Sequence, residues 1–426
     1  MKLQKYAAVL AAATLTSGVL AGCSGNSAPT SSGPVTLTFQ AFANTPEGQT
    51  ANQKIVDDWN KAHPDITVNL VMTPIDSAYE KISTQMAGGT APDILMDDAQ
   101  DIRQYVNEGY IADLTPILSK DAMSSIDPGV LDTVKINDIV AGVPTEMQTY
   151  VVLANKDLLD ASGATVPTGD SMTWDDLHSI AKATTKNGVS GLTWGLKSPT
   201  SAFVSLGLGN GAKYFTGQDK DAQASVGSAE QEIPQRVKTM ITDGTMDRVG
   251  VSQASSDVLP TFYSGKAAMV MTQSYHIANI AKDAPAGLKW EVLPPLKGST
   301  GTQQAAIPTT LSVTANSKSP EQAAKFLDYY MSAENLSNLN FAEGLIPPTK
   351  DARAALAKST ADKNGWAAVL KSGENLVPAP ASAATSYPAW KSTVANPAYQ
   401  QFFSGSIDAD TLKNKLVDGW ATANRK

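Results

Sequence analysis

Apolar and polar residues alternate through Val35-Thr-Leu-Thr-Phe39 and again through Ile66-Thr-Val-Asn-Leu70, the period of a half-buried strand. Between them Ala51, Ile55, Trp59 and Ala62 recur at helical spacing, so the pattern predicts strand, helix, strand: a parallel pair joined by a crossover. A second helical face, Tyr79, Ile82 and Met86, stops at Gly88-Gly89. Pro92 to Met96 then reads as a buried strand ending in Asp97-Asp98, followed by a helix carrying Ile102, Tyr105 and Val106 and stopping at Gly109. A second α/β series begins near residue 149. Tyr150 to Leu153 is its first strand, and Thr173-Trp-Asp-Asp176 opens a helix as a capping box, with Leu177, Ile180 and Ala181 on the buried face. Val258 and Phe262 mark a short helix stopped at Ser264-Gly265, and Ala267 to Met271 is another buried strand. Ser319 caps a helix with Pro320 at its first position and Ala323, Leu327 and Tyr330 on its face. The last helix places Leu412, Leu416 and Trp420 on one stripe. No short internal repeat interrupts the order.

The chain of 426 residues contains a single cysteine, Cys23, so the fold is held by no internal disulfide. Lys2 and Lys5 precede an apolar run from Tyr6 to Leu20, and Leu20-Ala-Gly22 is a small-residue cleavage site abutting the thiol. That is an export signal, short for a bilayer span. A cysteine directly after it resembles the lipobox of bacterial lipoproteins, in which the thiol takes a diacylglycerol and becomes the first residue of the mature chain. Two acyl chains hold a protein at a membrane where one holds it marginally. The Ser-, Gly- and Pro-rich stretch that follows reads as a flexible tether spanning roughly 18 Å. No later segment is apolar and long enough to cross a bilayer.

Removing the leader takes the formal charge from −8 to −10. No basic footprint for nucleic acid exists in such a chain. The remaining body, about 390 residues, exceeds what one core usually serves, so two α/β lobes with a cleft between them are the expectation.

Several segments in order resemble the extracellular solute-binding proteins of carbohydrate ABC importers, the maltose- and oligosaccharide-binding group. They are DDWNKAHPDITVNL (57–70), AYEKISTQMAGGTAPDIL (78–95), AGVPTEMQTYVVLANKDLLDASG (141–163), SMTWDDLHSIA (171–181), FYSGKAAMVMTQSYHIANI (262–280), SKSPEQAAKFLDYYMS (317–332) and EGLIPPTKDA (343–352). The resemblance covers essentially all of the mature chain. It implies an α/β, two-lobe periplasmic-binding-protein (Venus-flytrap) fold, each lobe a doubly wound sheet, joined by hinge crossings. The implied division is 1–22 signal peptide, 23–34 lipidated tether, 35–145 with 310–345 as lobe 1, and 146–309 with 346–426 as lobe 2. Implied partners are an oligosaccharide and ABC permease subunits, with the membrane reached through the lipid alone, at the outer face of the bacterial cell membrane. No cofactor, no metal and a monomeric state are expected. Departures from the family pattern fall where sugar would sit: Tyr275 stands where tryptophan is commoner, Ala41-Phe-Ala43 lacks a tryptophan, and Ile307-Pro-Thr-Thr310 replaces a glycine-rich crossing.

A neutral sugar offers hydroxyl edges and apolar faces, so its site needs carboxylates and amides for the first and Trp or Tyr for the second. In open α/β lobes such a site lies at the carboxyl ends of strands. Candidates at those ends are Asn44, Asp97, Asp98, Glu146, Tyr275 and Thr309. Trp194 joins them, in a loop bracketed by Gly191 and Gly195, as do Tyr387 and Trp390 in the Pro- and Ala-rich loop 377–390. The alternative for Asp97 and Asp98 is helix capping, and for the two tryptophans half-buried packing. Trp59, Trp174 and Trp420 fit helix faces and belong to cores. Pro144–Thr149, Ile307–Leu311 and Gly344–Pro347 are the hinge candidates.

A lipid-anchored glycosidase would need two carboxylates facing across the cleft. The adjacent pairs Asp57-Asp58, Asp97-Asp98 and Asp175-Asp176 do not supply that, and no Gly-x-Ser-x-Gly elbow is present. His63, His178 and His276 lack metal-ligand spacing. The same fold holding a polyamine, a peptide or a glycerol-phosphate is the remaining alternative; acids at strand ends disfavour anions and tolerate cations.

Overall fold

The structure, a computed structural model, describes residues 33–361 and 363–425. Cys23, the leader and most of the tether lie outside the described residues. Two sheets dominate. Their strands are β1 (Val35–Ala41), β2 (Ile66–Met72), β3 (Ile94–Asp98), β4 (Val143–Glu146), β5 (Tyr150–Asn155), β6 (Ser190–Trp194), β7 (Ala267–Gln273), β8 (Trp290–Val292) and β9 (Thr309–Val313). The first sheet has the order β2-β1-β3-β9-β4 and the second β8-β5-β7-β6. β1 pairs in parallel with both β2 and β3, as the strand–helix–strand pattern requires. β9 returns from the second half of the chain and lies antiparallel between β3 and β4.

The helices that position the site are α1 (Pro46–Ala62), α2 (Ile75–Ala87), α3 (Ala99–Asn107), α4 (Trp174–Thr184), α5 (His276–Asp283), α6 (Pro320–Tyr330), α7 (Ala333–Glu343) and α8 (Ala409–Ala423). α1 starts where the Thr45 hydroxyl accepts from the Gly48 amide, with Pro46 in the first turn. α4 carries the full capping box: Thr173 accepts from the Asp176 amide at 3.0 Å while Asp176 accepts from the Thr173 amide at 2.8 Å. Pro320 opens α6 as expected, but the Ser319 side chain makes no capping bond.

Side chains on β3 alternate between two cores. Ile94 and Met96 join Leu37, Phe39, Leu311 and Phe326 on one face; Leu95 joins Ile82, Ile102 and Tyr105 on the other. In the second sheet Val152, Ala154, Met269 and Met271 face a core closed by Leu412, Leu416 and Trp420 of α8. Trp59, Trp174 and Trp420 are all buried.

Two loops expected from composition are not loops. Residues 190–194 form β6, and Trp194 is 2% exposed, packed edge-on against Phe203 at 5.8 Å. Gly191 and Gly195 are there for close approach rather than for freedom. A Cβ at Gly191 would lie 2.2 Å from the Ala181 carbonyl oxygen, and one at Gly195 2.4 Å from that of Ala254. The stretch 377–390 ends in a helical turn, residues 387–390, whose aromatic rings complete the second core. Trp390 is fully buried and donates its indole N–H to the Leu416 carbonyl at 2.9 Å.

The chain passes between the sheets at 147–149 and 306–308, and the segment 344–349 runs beside the first of these. The Met147 amide donates to the Ile346 carbonyl at 2.9 Å, and the Met147 carbonyl accepts from the Ile346 amide at 2.8 Å. The Thr145 hydroxyl donates to the Thr309 carbonyl at 3.2 Å.

Candidate functional site

A cavity of about 330 Å³ opens where the ends of the two sheets meet. Asn44, Asp97, Asp98, Glu146, Tyr275 and Thr309 all line it. Strand register explains how residues so distant in sequence converge: Thr309 pairs with Asp98 on one side and with Glu146 on the other. A side chain points to the same face as its cross-strand partner, so three neighbouring strands present Asp98, Thr309 and Glu146 in a row. Period-two alternation turns Asp97 the other way, toward α3, where its Oδ2 accepts from the Tyr105 hydroxyl at 3.2 Å and its Oδ1 accepts from the Asp98 amide at 2.9 Å. Asp98 occupies the N-cap position of α3 but makes no capping bond, which leaves its carboxylate free for the cavity.

Three candidates are corrected by the structure. Trp194 and Trp390 sit in the second core and do not reach the cavity. Tyr387 is 5% exposed in the same core, with its ring 6.1 Å from that of Phe215. Flanking glycines and prolines suggested exposed aromatics; here they serve tight packing.

The residues that strand-end reasoning missed are Phe42, Asp101, Gln148 and Gln273. Phe42 follows β1 directly and supplies an apolar wall at the position where a tryptophan was found wanting. Asp101 lies one turn into α3, so the helical spacing from Asp97 could have pointed to it. Gln273 is the last residue of β7, with its Oε1 accepting from the Ser255 hydroxyl at 2.7 Å.

The wall from the first sheet is acidic. Burial, reinforced by Asp101 and Asp98, pushes the Asp97 carboxyl up to about 8. Burial and Asp101 push Asp98 up to about 7, and burial pushes Asp101 up to about 6, while Lys391 pulls against both. Glu146 is raised by burial and by the nearby Glu343. Glu343, at the end of α7, is fully buried behind the cavity. It accepts from the Asn44 amide at 2.9 Å and from the Thr45 hydroxyl at 3.3 Å, which fixes the chain where Asn44 enters the site.

Opposite stand Gln273 and Tyr275, the latter just before α5. Gly344 lies against Tyr275: its φ is +69° and a Cβ there would meet the Tyr275 carbonyl oxygen at 2.8 Å. Ion pairs join the halves around the cavity, Arg103 with Asp219 at 3.8 Å and Lys282 with Glu47 at 3.3 Å. Among the described residues no cluster has the make-up of a metal site.

Two sheets, each with its own core face, strand-end groups converging on a cavity between them and paired crossings beneath it define a two-lobe binding protein. The family model described as bacterial extracellular solute-binding protein matches residues 42–336, and the chain belongs to that family. It is 33% identical over 395 residues to the uncharacterized lipoprotein in the oleD 5′ region of Streptomyces antibioticus, covering 91% of this chain and 86% of that one. It is 28% identical over 330 residues to the arabinooligosaccharide-binding protein of Bacillus subtilis, covering 74% and 73%. Its fold matches that of the sugar-binding protein MalE from Xanthomonas citri with a TM-score of 0.80, 19% identity and coverage of 92% and 98%.

Proposed function

We propose that this protein captures an oligosaccharide between its lobes, closes on it, and presents the loaded form to the permease of an ABC importer. The observation that carries the reading is the convergence of Asn44, Asp98, Glu146, Thr309, Gln273 and Tyr275 on one cavity, with Phe42 and Tyr275 as ring surfaces. Its volume lies at the lower end of the range for small-molecule sites. Carboxylates and amides bind hydroxyl edges; rings cover apolar sugar faces. Residues 35–145 with 310–345 act as one lobe and 146–309 with 346–426 as the other. They turn about Pro144–Thr149, Ile307–Leu311 and Gly344–Pro347, and the ligand stabilises the closed form by touching both walls.

The protein binds without turnover. All four carboxylates of the cavity come from the first sheet and from α3 beside it, and the wall opposite offers an amide and a phenol, so no acid flanks a glycosidic bond from the far side. The body is held at the outer face of the cell membrane by acyl chains on Cys23, as its lipoprotein relative suggests.

A thermal-shift screen with di- to tetrasaccharides tests this. One oligosaccharide raises Tm and is recovered uncleaved. Tyr275→Ala lowers its affinity by about ten- to hundredfold with the fold intact. Unchanged affinity removes Tyr275 from the site, and cleaved sugar ends the binding-protein reading. Cys23→Ser releases the protein from the membrane fraction; retention ends the anchor assignment.

A further inference from the structure

The first-sheet wall of the cavity carries three acceptor side chains that nothing in the protein satisfies. Asp98, Asp101 and Glu146 line the cavity together, with Asp97 at its edge turned toward α3. Among the described residues, none of those three side chains has a hydrogen-bond donor; the partners of Asp97 are its own neighbours in β3 and α3. Glu146 is the decisive member. It is 4% exposed, lines the cavity, and its carboxyl group goes unbonded. A buried carboxyl group without a partner keeps its proton until a positive charge arrives beside it.

Counter-charge is scarce. Lys391, carried by the turn 391–395, acts on Asp98 and Asp101, and burial weakens its own hold on a proton. Arg103 is engaged with Asp219, and Lys282 with Glu47. A ligand that fills the cavity strips water from four carboxyl groups facing one ammonium. The hydroxyls of a neutral sugar answer with ordinary hydrogen bonds. A cationic nitrogen answers with charge-assisted ones, roughly twice as strong.

We propose that the saccharide taken by this site bears a protonated amine, seated with its nitrogen among Asp98, Asp101 and Glu146. The proposal rests on the saccharide-binding reading and narrows it to amino sugars or amine-bridged oligosaccharides.

Proton exchange separates the two ligand classes by sign. The titratable groups at the site are Asp97 and Asp98 from β3, Asp101 from α3, Glu146 from β4 and Tyr275 before α5, with Lys391 beside the aspartates and Glu343 of α7 and Tyr330 of α6 behind Glu146. Part of the acidic set holds protons near neutral pH, as described above. A cation arriving there favours the ionised carboxylates, so protons leave; a neutral sugar only deepens their burial, so protons are taken up.

Titration calorimetry at pH 7 in two buffers of different ionisation enthalpy reads that sign. The probes are glucosamine oligomers, their fully N-acetylated counterparts of equal length, and spermidine. The free-amine oligomer binds about tenfold or more tighter than its acetylated form, with net proton release. Asp98→Asn and Asp101→Asn each remove most of that preference and most of the proton release, whereas Lys391→Met enlarges the preference. Circular dichroism melts check that each variant is folded. A free-amine oligomer that fails to bind, or binds no tighter than its acetylated form, overturns the amine proposal; neutral sugars binding with proton uptake then leave the saccharide reading standing. Spermidine binding in the absence of any saccharide binding overturns both.

Discussion

The wall supplied by the first sheet and the wall supplied by the second are held in place by different means. Asp98, Thr309 and Glu146 sit on adjacent strands, so backbone pairing alone sets their order and spacing. Tyr275 lies past the end of β7, and its position depends on Gly344 packing against its carbonyl and on His276, whose ring is 4.3 Å away. His276 itself is buried and bonded to the Thr272 hydroxyl. One wall is therefore rigid and charged, the other neutral and propped from behind. A binding protein that closes on its ligand gains from this asymmetry: the rigid wall fixes the ligand's register, and the propped wall arrives over it.

The sharpest separation of core from wall is Trp194→Ala. It should cost about 3–5 kcal/mol of stability, measured by chemical denaturation, because the indole fills the second core. Affinity of the surviving folded fraction should be unchanged; a selective loss of binding would return Trp194 to the site. Next in size is Gly344→Ala, which combines a left-handed backbone with a collision at the Tyr275 carbonyl. About 2 kcal/mol of stability and a clear loss of affinity are expected together. Lost stability with full affinity would show that Tyr275 does not depend on this prop.

The smallest effect tests the charged wall. The native state holds the Asp97 proton up to about pH 8, while the unfolded chain releases it near the ordinary value of 3.8. A folded-state value raised in this way favours the native state fully below about pH 4, and the contribution is lost progressively as pH rises from there to about 8. Asp97→Asn keeps the shape and removes the charge, so its Tm should exceed the parent's at pH 9 by roughly 2 °C and by less at pH 5. Equal Tm at both pH values would mean that Asp97 is not strained by its surroundings.

What the sequence disclosed follows the same division. β1 and β2 were legible because their alternation is strict, and β3 because a short apolar run ends in two aspartates. The acids at the end of β3 and at Glu146 were legible for the same reason. Their meeting with Thr309 was not, because β9 joins the sheet from more than 200 residues away and no local pattern encodes that pairing. Trp194 and Trp390 were misread because glycine and proline mark loops only on average. At Gly191 and Gly195 the missing side chain makes room for a neighbouring backbone. Asp101 was hidden by attention to strand ends, although a helix that begins there brings its first turn to the same place.

The double hydrogen bond between Met147 and Ile346 has a mechanical consequence. A single crossing is a swivel, free to twist in any sense. Two crossings stitched side by side form a ribbon, which bends readily across its flat face and resists torsion and sliding. Lobes carried on such a ribbon are steered along one arc, so each encounter brings the same edges together and leaves the outward faces of the loaded form in one reproducible relation.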